Sequence, residues 1–133
     1  MRILETALYA EDLDAARQFY VDVLGLEVIH FDPERDLFMR LERSVLIVFK
    51  ASRTRIHDSN VPPHGTVGAG HVAFEADRDG IEEWKVRLEK AHVPITQEID
   101  WPNGARSIYF EDPAGNVLEF ATRDLWFSGS GTS

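Results

Sequence analysis

His71 in the stretch GHVAFEA and Glu119 in DPAGNVLEFAT are the side chains on which chemistry can be built. Each is metal-capable, and each stands on a short segment whose alternate neighbours are apolar. Side chains alternate across a strand, so Val72, Phe74 and Ala76 form one face of GHVAFEA while His71, Ala73 and Glu75 form the other. In NVLEFAT, Leu118 and Phe120 face one way and Glu119 the other. An imidazole and a carboxylate on the non-core faces of two strands can share a divalent cation. Equally, His71 can be a satisfied histidine beside a loop, and Glu119 can pair with Arg106 or Arg123. The chain has no cysteine, which excludes disulfides, thiolate metal sites and a cysteine nucleophile. Histidine and carboxylate donors favour Mn, Fe, Co, Ni or Zn over copper(I) or iron–sulfur clusters.

The elements that must position these residues follow from the hydropathy pattern. ILETALYA alternates as a strand. Asp12 is placed to cap a helix in which Leu13, Ala16, Tyr20, Val23 and Leu24 recur at helical spacing, and Gly25 ends it. LEVIHFD, DLFMRLE and VLIVFKA then read as three strands, with turns at Asp32-Pro33-Glu34 and Glu42-Arg43-Ser44. Residues 51–69 carry Pro62, Pro63, Gly65, Gly68 and two histidines, His57 and His64, without any period, and read as a long connection. The pattern then restarts. GHVAFEA is a strand; Asp79, with Glu82 three residues on, is expected to cap a helix with Ile81, Trp84, Leu88 and Ala91 on one face. VPITQEI, ARSIYFE, the turn Asp112–Asn116 and VLEFAT complete a second β-α-β-β-β unit.

The chain is thus expected to be an α+β protein of two tandem β-α-β-β-β modules, 1–50 and 70–127, within a single domain 1–127. The final SGSGTS, residues 128–133, has nothing to bury and is expected to be disordered. Aligning the modules places Glu5 over His71 and SVLIVFK over NVLEFAT. Two curved sheets with their open faces opposed would enclose a cleft. Strand parity assigns to it Glu5, Ala7 and Tyr9; Val45, Ile47 and Phe49; His71, Ala73 and Glu75; and Val117, Glu119 and Ala121. Of the four equivalent central positions, Glu5, His71 and Glu119 are metal-capable and Ile47 is not. Ile47 and Phe49 offer an apolar wall for a partly hydrophobic substrate. Trp101, in the loop Trp101-Pro102-Asn103-Gly104, stands at the mouth or packs as a turn residue. Arg106 and Tyr109 fall on opposite faces of a regular strand, so at most one meets the cleft; Arg106 can receive an anionic group or remain on the surface.

Bulk properties narrow the function. At 133 residues, with 44% hydrophobic and 28% charged residues, the chain is an ordinary globular domain able to bury its own core. A net charge of −9 opposes nucleic acid binding and is compatible with a cationic ligand, though most of it serves as a solvated surface. No apolar run approaches a membrane span, and Glu5, Glu11, Asp12 and Asp14 interrupt any signal-peptide core. A cytoplasmic location is expected.

The double module, the helix opening DLDAARQFYVDVLGL, the strand GHVAFEA and the run YFEDPAGNVLEF together resemble the vicinal oxygen chelate superfamily, the glyoxalase/bleomycin resistance/dioxygenase fold, over nearly all of residues 3–126. The resemblance implies one divalent metal on Glu5, His71 and Glu119. Glyoxalases I use a further ligand where this chain has Ile47, which supplies no donor. Three protein ligands leave positions for water and a small substrate chelated through adjacent oxygens, with the metal as Lewis acid. The implied reaction is proton abstraction beside a carbonyl, with Glu5 or Glu119 available as base; ring-cleaving dioxygenase chemistry is the nearest alternative. From another class comes a metal-free drug-binding protein of the bleomycin-resistance type. The resemblance also implies a homodimer.

Overall fold

The computed structural model describes residues 1–58 and 60–127; the expectation of a disordered tail at 128–133 lies outside them. The chain forms an α+β structure of two compact units, Met1–Gly70 with Asp112–Asn116, and His71–Glu111 with the described residues 117–127. Each unit holds one four-stranded mixed sheet. The loop at 51–69 and the turn at 112–116 therefore belong to the first unit. Among the described residues no helix is long and apolar enough to cross a membrane.

In the first unit β1 (Glu5–Tyr9) leads into α1 (Leu13–Gln18), followed by β2 (Glu27–Asp32), β3 (Asp36–Arg40) and β4 (Val45–Phe49), with strand order β1-β4-β3-β2. Asp12 caps α1 as expected, accepting from the Ala15 amide at 3.0 Å. Past Gln18 the helix widens into a π turn over Phe19–Val23, and Gly25 follows at φ 74°, a left-handed conformation that favours glycine at a helix end. Leu13, Ala16 and Tyr20 are buried, as are Leu37, Met39, Leu46 and Val48 on the strands that α1 packs against. Burial of each large side chain contributes about 1.5–3 kcal/mol. The predicted loop is not wholly irregular: α2 (Ala51–Thr54) occupies its start, a helix of four residues and too short to leave a period.

The turn at 112–116 is a polar hub. Asp112 Oδ1 accepts from the amides of Ala114 and Asn116, both at 2.9 Å, while Oδ2 accepts from the Tyr20 hydroxyl at 2.7 Å and Asn116 Nδ2 at 2.9 Å. Asn116 also donates to Tyr9 O and accepts from the Gly70 amide. A Cβ on Gly70 would lie 3.0 Å from Leu8 Cδ2 and 3.3 Å from Asn116 Oδ1, so a larger residue here would have to push these side chains aside.

In the second unit β5 (His71–Glu75) is followed by α3 (Arg78–Lys90), β6 (Gln97–Asp100), β7 (Arg106–Glu111) and β8 (Val117–Ala121), in the order β5-β8-β7-β6. The cap of α3 is Asp77 and not Asp79. Asp77 has extended backbone and accepts from the Gly80 amide at 2.7 Å, which leaves Asp79 as a first-turn acid favoured by the helix dipole. Ile81 and Leu88 are fully buried, and Trp84 stacks on Phe120 at 4.4 Å.

The two sheets share one register. Glu5 pairs with Val45 and Ala7 with Ile47; His71 pairs with Val117 and Ala73 with Glu119. On the far side of β4 and β8, Ile47 pairs with Phe38 and Glu119 with Tyr109. The alignment expected from the sequence is therefore met residue by residue.

Candidate metal centre

His71 and Glu119 come together on the sheet face that α3 leaves uncovered. They are diagonal neighbours on the parallel pair β5 and β8, close enough for side chains to meet, and His71 Nε2 lies 3.2 Å from Glu119 Oε1. The imidazole is held from behind, since Nδ1–H donates to Val117 O at 2.9 Å. That bond fixes the tautomer: in the neutral ring Nε2 carries a lone pair, and two acceptors then face each other across 3.2 Å. A shared cation satisfies both. Two ligands bound side by side on one metal at about 2.0–2.2 Å are separated by roughly 3 Å, so the pair fits as two ligands of a divalent ion. Anchoring the second ring nitrogen on a carbonyl is the usual support of a metal-bound histidine.

Glu119 is 4% exposed, and a buried carboxylate needs donors. Ser107, fully buried on β7, donates to Oε2 at 2.6 Å. Ser107 in turn accepts from Trp101 Nε1–H at 2.9 Å. Trp101 is aimed inward by a tight turn in which its amide donates to Ala105 O and Gly104 takes φ 91°. Tyr109 stands opposite Glu119, its ring stacked 6.3 Å from His71. Burial, and next the charge of Glu119, raise the Tyr109 hydroxyl above its ordinary pKa.

The remaining sequence-derived candidates are described within their own units. Glu5 is exposed on β1 of the first unit. Among the described residues no group of three or more His, Asp or Glu side chains that could hold a metal is found; of the three expected ligands, His71 and Glu119 lie within 3.2 Å of each other. Ile47 is 3% exposed between Ala7 and Phe38. Phe49 joins an aromatic group with Tyr9 at 6.1 Å, Phe38 at 6.3 Å and His64 at 4.6 Å. His64, expected in an open loop, is half-buried there with its Nδ1 2.7 Å from the Tyr9 hydroxyl, whereas His57 is exposed.

Arg106 is corrected. It lies on the opposite face of β7 from Ser107 and Tyr109, and its guanidinium is taken up by Glu82 and Glu98 at 2.7 Å and Asp100 at 3.2 Å. Those carboxylates hold it on the α3 side, so its assignment to substrate is withdrawn. Glu119 pairs with neither Arg106 nor Arg123; the latter bonds Glu75. Ser107 was missed. Strand parity alone places it beside Tyr109, two residues on, but a serine does not stand out when candidates are ranked as metal donors.

The sequence model of the Glyoxalase/Bleomycin resistance protein/Dioxygenase superfamily matches residues 2–120. In structure the chain is similar to a lactoylglutathione lyase from Agrobacterium tumefaciens, with a TM-score of 0.91 and 44% identity over 94% of this chain and 96% of that one. It is also similar to a glyoxalase/bleomycin resistance protein/dioxygenase from Nocardioides, with a TM-score of 0.74 and 25% identity over 100% and 89% of the two chains. A Bacillus subtilis (strain 168) relative, the uncharacterized protein YwbC, is 27% identical over 131 residues, covering 92% of this chain and 98% of that one.

Proposed function

We propose that this chain, which belongs to the glyoxalase/bleomycin resistance protein/dioxygenase superfamily, is a cytoplasmic, homodimeric, divalent-metal-dependent enzyme of the lyase or isomerase type. Its substrate is small, partly apolar and held through adjacent oxygens. The observation that carries this reading is the His71 Nε2 to Glu119 Oε1 separation of 3.2 Å with Nδ1 locked on Val117 O. His71 and Glu119 would hold the metal. A bound metal supplies Lewis-acid polarisation of the substrate's oxygens.

The residues around the pair set the rest. The Tyr109 hydroxyl, beside Glu119, offers a donor to a substrate oxygen, and its ring lies roughly parallel to that of His71 at 6.3 Å. Two protein ligands leave further coordination positions to water and substrate. Similarity to a lactoylglutathione lyase names the first compound to try. Lactoylglutathione presents a carbonyl and a hydroxyl on adjacent carbons, and proton transfer between such carbons is the reaction that a positioned base beside a polarised carbonyl performs.

The test is metal analysis of the purified protein, with melting curves in Mn, Co, Ni and Zn and an assay for lactoylglutathione turnover. We expect bound metal, stabilisation by at least one of these ions, and loss of both in His71→Ala. Absence of metal together with unchanged melting in every ion would sink the reading. It would favour instead a metal-free binder of cationic drugs, for which the aromatic group around Phe49 and the net charge of −9 speak. Light scattering tests the dimer; the mass of one chain counts against it.

A further inference from the structure

We infer that Ser107 and Trp101 are positioning residues that orient Glu119 as a metal ligand, an inference that rests on the metal-centre reading above. The argument is one of direction. An indole nitrogen only donates, and a serine hydroxyl has one proton to give. Because Trp101 Nε1–H occupies an acceptor lone pair of Ser107 Oγ at 2.9 Å, the Ser107 proton is left for Glu119 Oε2, at 2.6 Å. The chain of bonds therefore runs one way, from indole to hydroxyl to carboxylate, and each bond polarises the next. A separation of 2.6 Å is that of a charge-assisted bond to an ionised carboxylate.

The consequence is orientation. The terminal torsion of a glutamate is broad and roughly two-fold, so an unrestrained carboxylate has no preferred plane. Ser107 engages Oε2 and leaves Oε1 turned toward His71 Nε2. His71 is fixed by Val117 O and Glu119 by Ser107, so both donors are set before any metal arrives. Neither Ser107 nor Trp101 need touch the ion. Ser107 is fully buried, and removing its hydroxyl takes away the 2.6 Å bond that holds Oε2 and leaves Tyr109 as the neighbouring hydroxyl donor to Glu119.

The experiment titrates Ni²⁺ and Zn²⁺ calorimetrically into metal-free wild type, Ser107→Ala, Trp101→Phe and the double variant. Binding should weaken about 10- to 100-fold in Ser107→Ala and about 2- to 10-fold in Trp101→Phe, where only one hydrogen bond is lost. The double variant should be no weaker than Ser107→Ala, because the indole acts through the hydroxyl. A second readout is the indole N–H proton resonance of Trp101, assigned among the three tryptophans by its loss in Trp101→Phe. It should shift on adding Zn²⁺ to wild type and stay put in Ser107→Ala. Should Ser107→Ala not fold, Trp101→Phe and the resonance shift decide alone. Wild type binding metal with affinities unchanged in the single variants overturns the positioning role only; wild type binding no metal overturns that role and the metal-centre reading together.

Discussion

The two sheets put different chemistry on the same scaffold. In matching registers Glu5 answers to His71, Ile47 to Glu119, Phe38 to Tyr109 and Asp36 to Ser107. Ile47 and Glu119 are buried to the same degree, 3% and 4% exposed, so the central position excludes water whichever residue fills it. What differs is the neighbourhood. Glu119 is met by a hydroxyl donor at 2.6 Å and an imidazole at 3.2 Å, while Ile47 sits between Ala7 and Phe38, neither of which has a polar side-chain atom. A buried carboxylate is tolerable in the second sheet because its partners were placed with it.

The sharpest way to break this comparison is to exchange the central residues. Ile47→Glu would bury a charge without donors and should cost about 3 kcal/mol or more, read from urea midpoints at constant slope. Glu119→Ile removes a buried charge but leaves the buried Ser107 hydroxyl without its acceptor, so it should cost about 1–3 kcal/mol, less than Ile47→Glu, and abolish metal binding. Equal destabilisation by the two exchanges would mean that the neighbourhoods do not differ in the way their polar partners indicate.

A second contrast lies between carboxylates. Asp112 accepts four hydrogen bonds, from two amides, Asn116 Nδ2 and the Tyr20 hydroxyl, and so is saturated as a structural anchor. Tyr20 is fully buried, and its hydroxyl is raised far above its ordinary pKa, by burial first and by Asp112 next. Glu119 accepts from Ser107 on Oε2 and turns Oε1 toward His71 Nε2 at 3.2 Å. Tyr20→Phe should therefore lower stability by about 1.5–3 kcal/mol, the range for a bond to a charged group, and leave metal affinity unchanged. Ser107→Ala should do the reverse in emphasis, moving affinity more than stability. A Tyr20→Phe variant with altered metal affinity would erase the distinction.

Much of this was legible in the sequence because alternation and turn chemistry are local. Parity put His71 and Glu119 on the open face, and Asp12 and Gly25 bounded α1. Other features depended on choices made by tertiary packing. With Asp77 and Asp79 two residues apart, either can cap α3, and only the backbone of Asp77 settles which does. Arg106 was known to oppose Tyr109, but the three carboxylates that hold it come from α3 and β6. The Ser107 bond to Glu119 joins residues of adjacent strands, and its direction depends on an indole from a separate turn. Sequence pattern names donors; it does not orient them.

The smallest expected effect concerns Asp36, the counterpart of Ser107. It is 5% exposed, and its Oδ1 lacks a hydrogen bond although His30 Nε2 lies 3.1 Å away, without the alignment a bond requires. Burial raises its pKa, against the opposing pull of His30 and Arg35. The folded state then binds this proton more tightly than the unfolded state, so stability falls as pH rises from the ordinary carboxylate value of about 3.9 through the raised folded value, and the penalty is complete above it. Asp36→Asn removes the charge and should flatten that part of the stability profile, with a slightly higher melting temperature at neutral pH. A melting temperature lowered at neutral pH would instead show that the pairing of Asp36 with His30 and Arg35 outweighs its desolvation. The first sheet would then, like the second, hold a compensated buried carboxylate.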